Sequence, residues 1–91
     1  MSIKRELVTC TELETDVVTP TGTTYALSNG NAAFVRIYST TAFKCRGNAS
    51  NGTGALYPAN TVHRFPCYRQ TIYLEQATSG GFGELNITWE K

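Results

Sequence analysis

The sequence predicts an all-β protein, a small antiparallel β-sandwich or barrel of about seven or eight short strands, in one domain spanning residues 1–91. Three observations carry this. Apolar and polar residues alternate in short runs. Turn signals recur about every ten residues. No stretch sustains the 3.6-residue apolar period that a core helix needs. The Thr-rich, β-branched composition agrees, because such side chains suit a pleated, half-buried surface.

The elements follow in order. "ELVTCTE" opens the chain and "LETDVV" continues it; the first residues, 1–8, read as a flexible N-terminal arm. "TPTG" turns into "TTYALS". "SNGN" is a hairpin signal leading to "AAFVRIYS", in which Ala33, Val35 and Ile37 share one face. After "TT", "AFKCR" places Phe43 and Cys45 on one side and Lys44 and Arg46 on the other. Residues 47–54 form a long loop. "ALYPANT" is extended, and Pro58 marks an edge or bulge; Pro66 makes "VHRFPCY" an irregular or edge strand. "TIYLEQA" turns Ile72 and Leu74 inward. "TSGGFG" is a turn, and "ELNITWE" ends the chain with Leu85, Ile87 and Trp89 on one face.

Size and composition limit what such a domain does. Ninety-one residues allow one small core. Charged residues make up only 16% and the net charge is +1, so repulsion does little to keep copies apart. A surface of Thr and Asn suits strands packed beside other protein, which favours an assembly component over a lone enzyme. The opening "MSIKRELVTCTELE" has no continuous apolar core of a signal peptide, and no apolar run approaches the ~20 residues that span a bilayer. The chain therefore reads as a soluble protein made in the cytoplasm, without a membrane partner. In that compartment the sequons at Asn48, Asn51 and Asn86 are turn and strand chemistry rather than glycan sites. The three cysteines, Cys10, Cys45 and Cys67, form no close pair and read as free, apolar-packed thiols.

Catalytic parts are few. The single histidine, His63, precedes Cys67 by four residues, about 13 Å in an extended strand, and no third residue orients the pair. Cys10, Cys45, Cys67 and His63 have zinc-ligand chemistry but none of the close ligand spacings. Glu12, Glu14 and Asp16 alternate onto one strand face, the pattern of a solvated or partner-facing strip. "TSGGFG" precedes a strand, not the helix N-terminus that a phosphate loop needs. The sequence thus points to a non-enzymatic protein with no cofactor and no metal site.

One charge pattern has more content. From Val17 to Leu74 there is no acidic residue, while Arg36, Lys44, Arg46, Arg64 and Arg69 are present. The two ends are each about −2 and the middle about +5. Phe34, Tyr38, Tyr57, Phe65 and Tyr68 interleave with the basic positions. A basic and aromatic face of this kind binds single-stranded nucleic acid, or docks on an acidic protein surface such as the ends of a neighbouring copy. The third alternative is that the chain folds its acidic ends over its own basic middle. A pI near 7.7 lies below that of a dedicated nucleic-acid binder. The docking residues expected from the pattern are Arg36, Tyr38, Lys44 and Arg46, with Arg64 and Tyr68 as a second patch.

The segments "FVRIYSTTAFKCRGN", "ALYPANTVHRFPC", "TIYLEQA" and "GELNITWEK" resemble small virion proteins of tailed bacteriophages, at Val35–Phe43, Leu56–Phe65, Thr71–Leu74 and Gly83–Trp89. Residues 1–31 carry none of the resemblance. It implies a β-sandwich accessory protein of the capsid, of the decoration or cement type. Its partner would be the major capsid protein or another virion subunit, or further copies of itself, and its location the virion. It carries no catalytic residues over. Some relatives sit at the neck or tail, which leaves a fibre-associated adhesin that binds host glycans as an alternative. For that role Trp89 and the tyrosines would stack on sugar rings, although Trp89 shares a face with Leu85 and Ile87.

Overall fold

The computed structural model describes residues 12–91. The expected arm 1–8, most of the strand expected at 6–12, and Cys10 lie outside the described residues. Within them are eight strands: β1 (Glu12–Val18), β2 (Thr24–Leu27), β3 (Phe34–Ser39), β4 (Phe43–Cys45), β5 (Ala55–Tyr57), β6 (Val62–Pro66), β7 (Ile72–Gln76) and β8 (Leu85–Glu90). They form two four-stranded sheets, β1-β8-β3-β6 (sheet A) and β2-β7-β4-β5 (sheet B), with every pairing antiparallel. This order is that of an eight-stranded jelly roll, and the all-β expectation resolves to a sandwich rather than a closed barrel.

Alternation explains the two layers. Val35 and Ile37 on β3, and Leu85, Ile87 and Trp89 on β8, point inward from sheet A. Leu27, Phe43, Cys45, Ile72 and Leu74 meet them from sheet B, in one continuous core. Burying each large side chain contributes about 1.5–3 kcal/mol, and together these hold the sheets face to face. Where edge strands β5 and β6 approach, Tyr57, Phe43, His63 and Phe65 close the side of the sandwich. Tyr57 lies 4.9 Å, centroid to centroid, from both His63 and Phe65.

The "SNGN" expectation is corrected. Asn29 accepts the Asn31 N–H on its side chain and the Ala32 N–H on its carbonyl, so a turn does form. It joins no hairpin, however: β2 pairs with β7 and β3 with β6 and β8. The turn carries the chain from sheet B to sheet A. Among the described strands only β4 and β5 are a sequential hairpin, and its return depends on Gly54. A Cβ there would lie 2.7 Å from the Cys45 backbone, closer than any side chain tolerates. Opposite, Thr40 and Thr41 latch one end of the sandwich, their hydroxyls accepting the N–H groups of Glu84 and Gly83 at 2.9 Å.

The acidic strip on β1 is also corrected. A register shift between Glu12 and Glu14 sets Glu12 opposite Glu90 but Glu14 opposite Trp89, breaking the alternation. The extra residue, Leu13, packs against the core. Glu14 and Asp16 then share the side of Trp89 and Ile87 at the sandwich rim, where Asn29 donates to the Glu14 carboxylate at 2.8 Å. Carboxylates on the inward side of an edge strand make a poor template for another strand, so this seven-residue edge is protected.

Candidate docking surface

The six residues expected to dock fall on two opposite faces. Arg36 and Tyr38 on β3 and Arg64 on β6 point out from sheet A; Arg36 and Arg64 stand directly opposite each other, and Tyr68 follows β6 at the end of that face. Lys44 and Arg46 alternate with buried Phe43 and Cys45 and point out from sheet B. The structure therefore unites Arg36 and Tyr38 with Arg64 and Tyr68, and separates all four from Lys44 and Arg46.

Two like charges facing each other across a strand pair are destabilising unless something lies between them. Here it is Glu90, from the neighbouring strand β8. Its carboxylate lies 2.6 Å from Arg36 Nε through Oε2, and Oε1 takes Arg64 Nε and Nη2 at 3.0 Å each. The Glu90 side chain is only 12% exposed, so the carboxylate is held by two guanidinium groups rather than by water. The Arg64 guanidinium also lies over the Phe34 ring, 3.9 Å from its centroid, and Phe34 in turn touches Tyr68 at 5.9 Å. Tyr38 is fixed as well: its hydroxyl donates to the Asn60 side chain at 3.2 Å. Around this framework Val17, Val62 and Tyr68 are each more than half exposed. The result is a broad strand face with fixed charges and exposed apolar side chains.

On sheet B, Arg46 is engaged: Nη2 pairs with Glu75 at 3.0 Å and Nη1 donates to the Ser50 carbonyl at 3.0 Å, which ties the 47–54 loop to the sheet. Lys44 stands beside exposed Leu56. Among the described residues, Lys44 and Arg69 take part in no ion pair, whereas Arg36, Arg46 and Arg64 are all held by carboxylates from the C-terminal part of the chain. Internal neutralisation, the blandest of the three alternatives, thus accounts for three of the five basic residues in the acid-free interval.

The residues weighed for chemistry have other partners. His63 sits in the aromatic cluster, with Nε2 3.2 Å from the Pro58 carbonyl, while Cys67 Sγ points to the Ala32 carbonyl at 3.5 Å. Cys45 and Cys67 are buried free thiols, and burial pushes both above the usual thiol range. Among the described residues no three His, Cys, Asp or Glu side chains gather as metal ligands, and no helix is long and apolar enough to cross a membrane. Trp89 is 3% exposed and belongs to the core, so it offers no stacking platform.

Sequence reasoning placed Phe34 among the aromatic side chains of the basic face, as found, but also placed Tyr57 and Phe65 there, which instead pack against the core. It missed the role of Glu90 and the exposure of Val17 and Val62. That β8 lies beside β3 is a long-range fact no local pattern contains. No protein-family model, curated protein or solved structure matches this chain.

Proposed function

We propose that the chain is a non-enzymatic virion structural protein, a decoration or cement subunit that docks on the major capsid protein through the outer face of sheet A. The observation that carries this reading is the face itself. Arg36 and Arg64 are locked by Glu90, Tyr38 is held by Asn60, and exposed Val17, Val62 and Tyr68 surround them. Fixed charges beside exposed apolar groups suit a broad, complementary protein surface, because little side-chain entropy is lost on binding. The resemblance to small phage virion proteins supports the same reading. Jelly rolls serve in capsids and in lectins alike, so the fold agrees with the reading without selecting it.

The mechanism is contact area. A subunit seated where capsid subunits meet adds buried surface across the seam, and many symmetric copies make modest affinity per site sufficient. Sheet A is the better docking face because Val17, Val62 and Tyr68 stand exposed around it, whereas on sheet B the one exposed large apolar side chain among the described residues is Leu56. The alternative adhesin reading now depends on Tyr68, the most exposed large aromatic side chain among the described residues. Nucleic-acid binding is less well supported, since three of the arginines already carry carboxylate partners.

The test uses capsid particles assembled without this chain. Val62→Glu and Val17→Glu, on sheet A, should each weaken binding, and Lys44→Glu, on sheet B, should leave it intact. Loss with Lys44→Glu but not with the two valine variants would move the docking face to sheet B. No binding by the wild-type chain would remove the decoration reading.

A further inference from the structure

The turn between β6 and β7 has an unusual backbone. Tyr68 and Arg69 both have positive φ, 48° and 68°, and the Gln70 N–H donates to the Cys67 carbonyl at 2.8 Å. That is the φ pattern of a type I′ turn, whose central positions favour Asn-Gly because L residues with larger side chains are strained there. Tyrosine and arginine occupy them instead.

The hydrogen bonds that hold this conformation are all between backbone groups and use neither side chain. The N–H groups of Cys67 and Tyr68 donate to the Ala33 carbonyl at 2.8 and 3.0 Å, and that of Arg69 donates to the Ala32 carbonyl at 2.7 Å. An Asn-Gly turn would keep every one of these bonds at lower conformational cost. The fold therefore does not require Tyr and Arg here. Tyr68 is 65% exposed, touching only the edge of the sheet A face through Phe34, and Arg69 is exposed with no ion pair among the described residues. Strain that persists where a cheaper sequence would serve is a mark of function. Tyrosine and arginine are also the residue types enriched at the energetic centres of protein interfaces.

We propose that the Cys67–Gln70 turn is the anchoring element of the docking face: Tyr68 enters an apolar recess on an acidic protein surface, and Arg69 pairs with a carboxylate at its rim. The local charge argues for an acidic partner. Arg69 is exposed and carries a positive charge that no carboxylate among the described residues pairs. The hydrogen-bonded turn fixes the backbone from which both side chains project, which lowers the entropy lost on binding. This inference rests on the docking reading above and names the residues that dominate it.

The experiment replaces Tyr68-Arg69 by Asn-Gly and measures thermal unfolding together with binding to capsid particles assembled without the chain. The variant should melt higher, by about 5 °C for a domain of this size, and should bind at least about 30-fold more weakly. Arg69→Glu, which leaves the backbone demand unchanged, should also weaken binding with the fold intact. Wild-type binding combined with near-equal binding by the Asn-Gly variant would overturn the anchoring role alone. A lower melting temperature for that variant would overturn it too, by showing that the fold needs these side chains. Failure of the wild-type chain to bind would overturn the docking reading and this inference together.

Discussion

Glu90→Gln is the substitution that most sharply tests how the sheet A face is held. Glutamine keeps the size of glutamate, removes the charge and replaces one of the two accepting oxygens by an NH2 donor, so only one guanidinium keeps its acceptor. Two unit charges about 4 Å apart interact by about 4 kcal/mol at an effective dielectric near 20. Glu90 makes two such contacts, but partial solvation offsets much of this: Arg36 is 35% and Arg64 53% exposed. The variant also removes the carboxylate that both of the facing side chains, Arg36 and Arg64, contact. Together these give an expected loss of about 2–3 kcal/mol, between the cost of breaking a surface pair and a buried one. Urea unfolding measures it, with an unchanged slope if only the native state is affected. In the double variant Glu90→Gln/Arg36→Gln the losses should be less than additive, and salt near 1 M should shrink the Glu90→Gln deficit. A loss below about 0.5 kcal/mol, or full additivity with Arg36→Gln, would refute the idea that this carboxylate holds the face together.

Gly54→Ala should destabilise by about 2 kcal/mol or more in the same unfolding assay, because its Cβ would lie 2.7 Å from the Cys45 backbone. Tyr57→Ala, which empties the centre of the Phe43, His63 and Phe65 cluster, should cost about 3 kcal/mol; near-neutral behaviour would show that the β5–β6 side is not closed by packing. Cys45 and Cys67 are buried and their ionisation is suppressed, so both should resist thiol reagents until the domain unfolds. The same shift fixes a pH dependence. Thiols raised in the folded state ionise first in the unfolded chain, so their contribution is complete below the ordinary thiol range and declines as pH rises through it.

Local grammar made the strands legible. Val35 and Ile37, Phe43 and Cys45, Ile72 and Leu74, and Leu85, Ile87 and Trp89 all face inward as alternation requires. The sheet order was not legible, because jelly-roll neighbours such as β3 and β8 lie far apart in sequence and share no local signal. For the same reason "SNGN" reads as a hairpin although its flanking strands enter different sheets. The bulge at Leu13 shifts Glu14 relative to Glu12 through a packing choice that residue types alone do not reveal. The segregated charge left internal neutralisation as one of three alternatives. It did not say that Glu90 would meet Arg36 and Arg64 while Glu75 met Arg46. The Tyr68-Arg69 turn was hidden altogether, since neither residue signals positive φ.

The central claim is that this jelly roll decorates a capsid. Quantitative mass spectrometry of purified particles from the virus that encodes it tests that most directly. The account predicts a copy number comparable with that of the major capsid protein. A dozen copies or fewer would place the chain at the neck, tail or a fibre, and its absence from the particles would contradict the account.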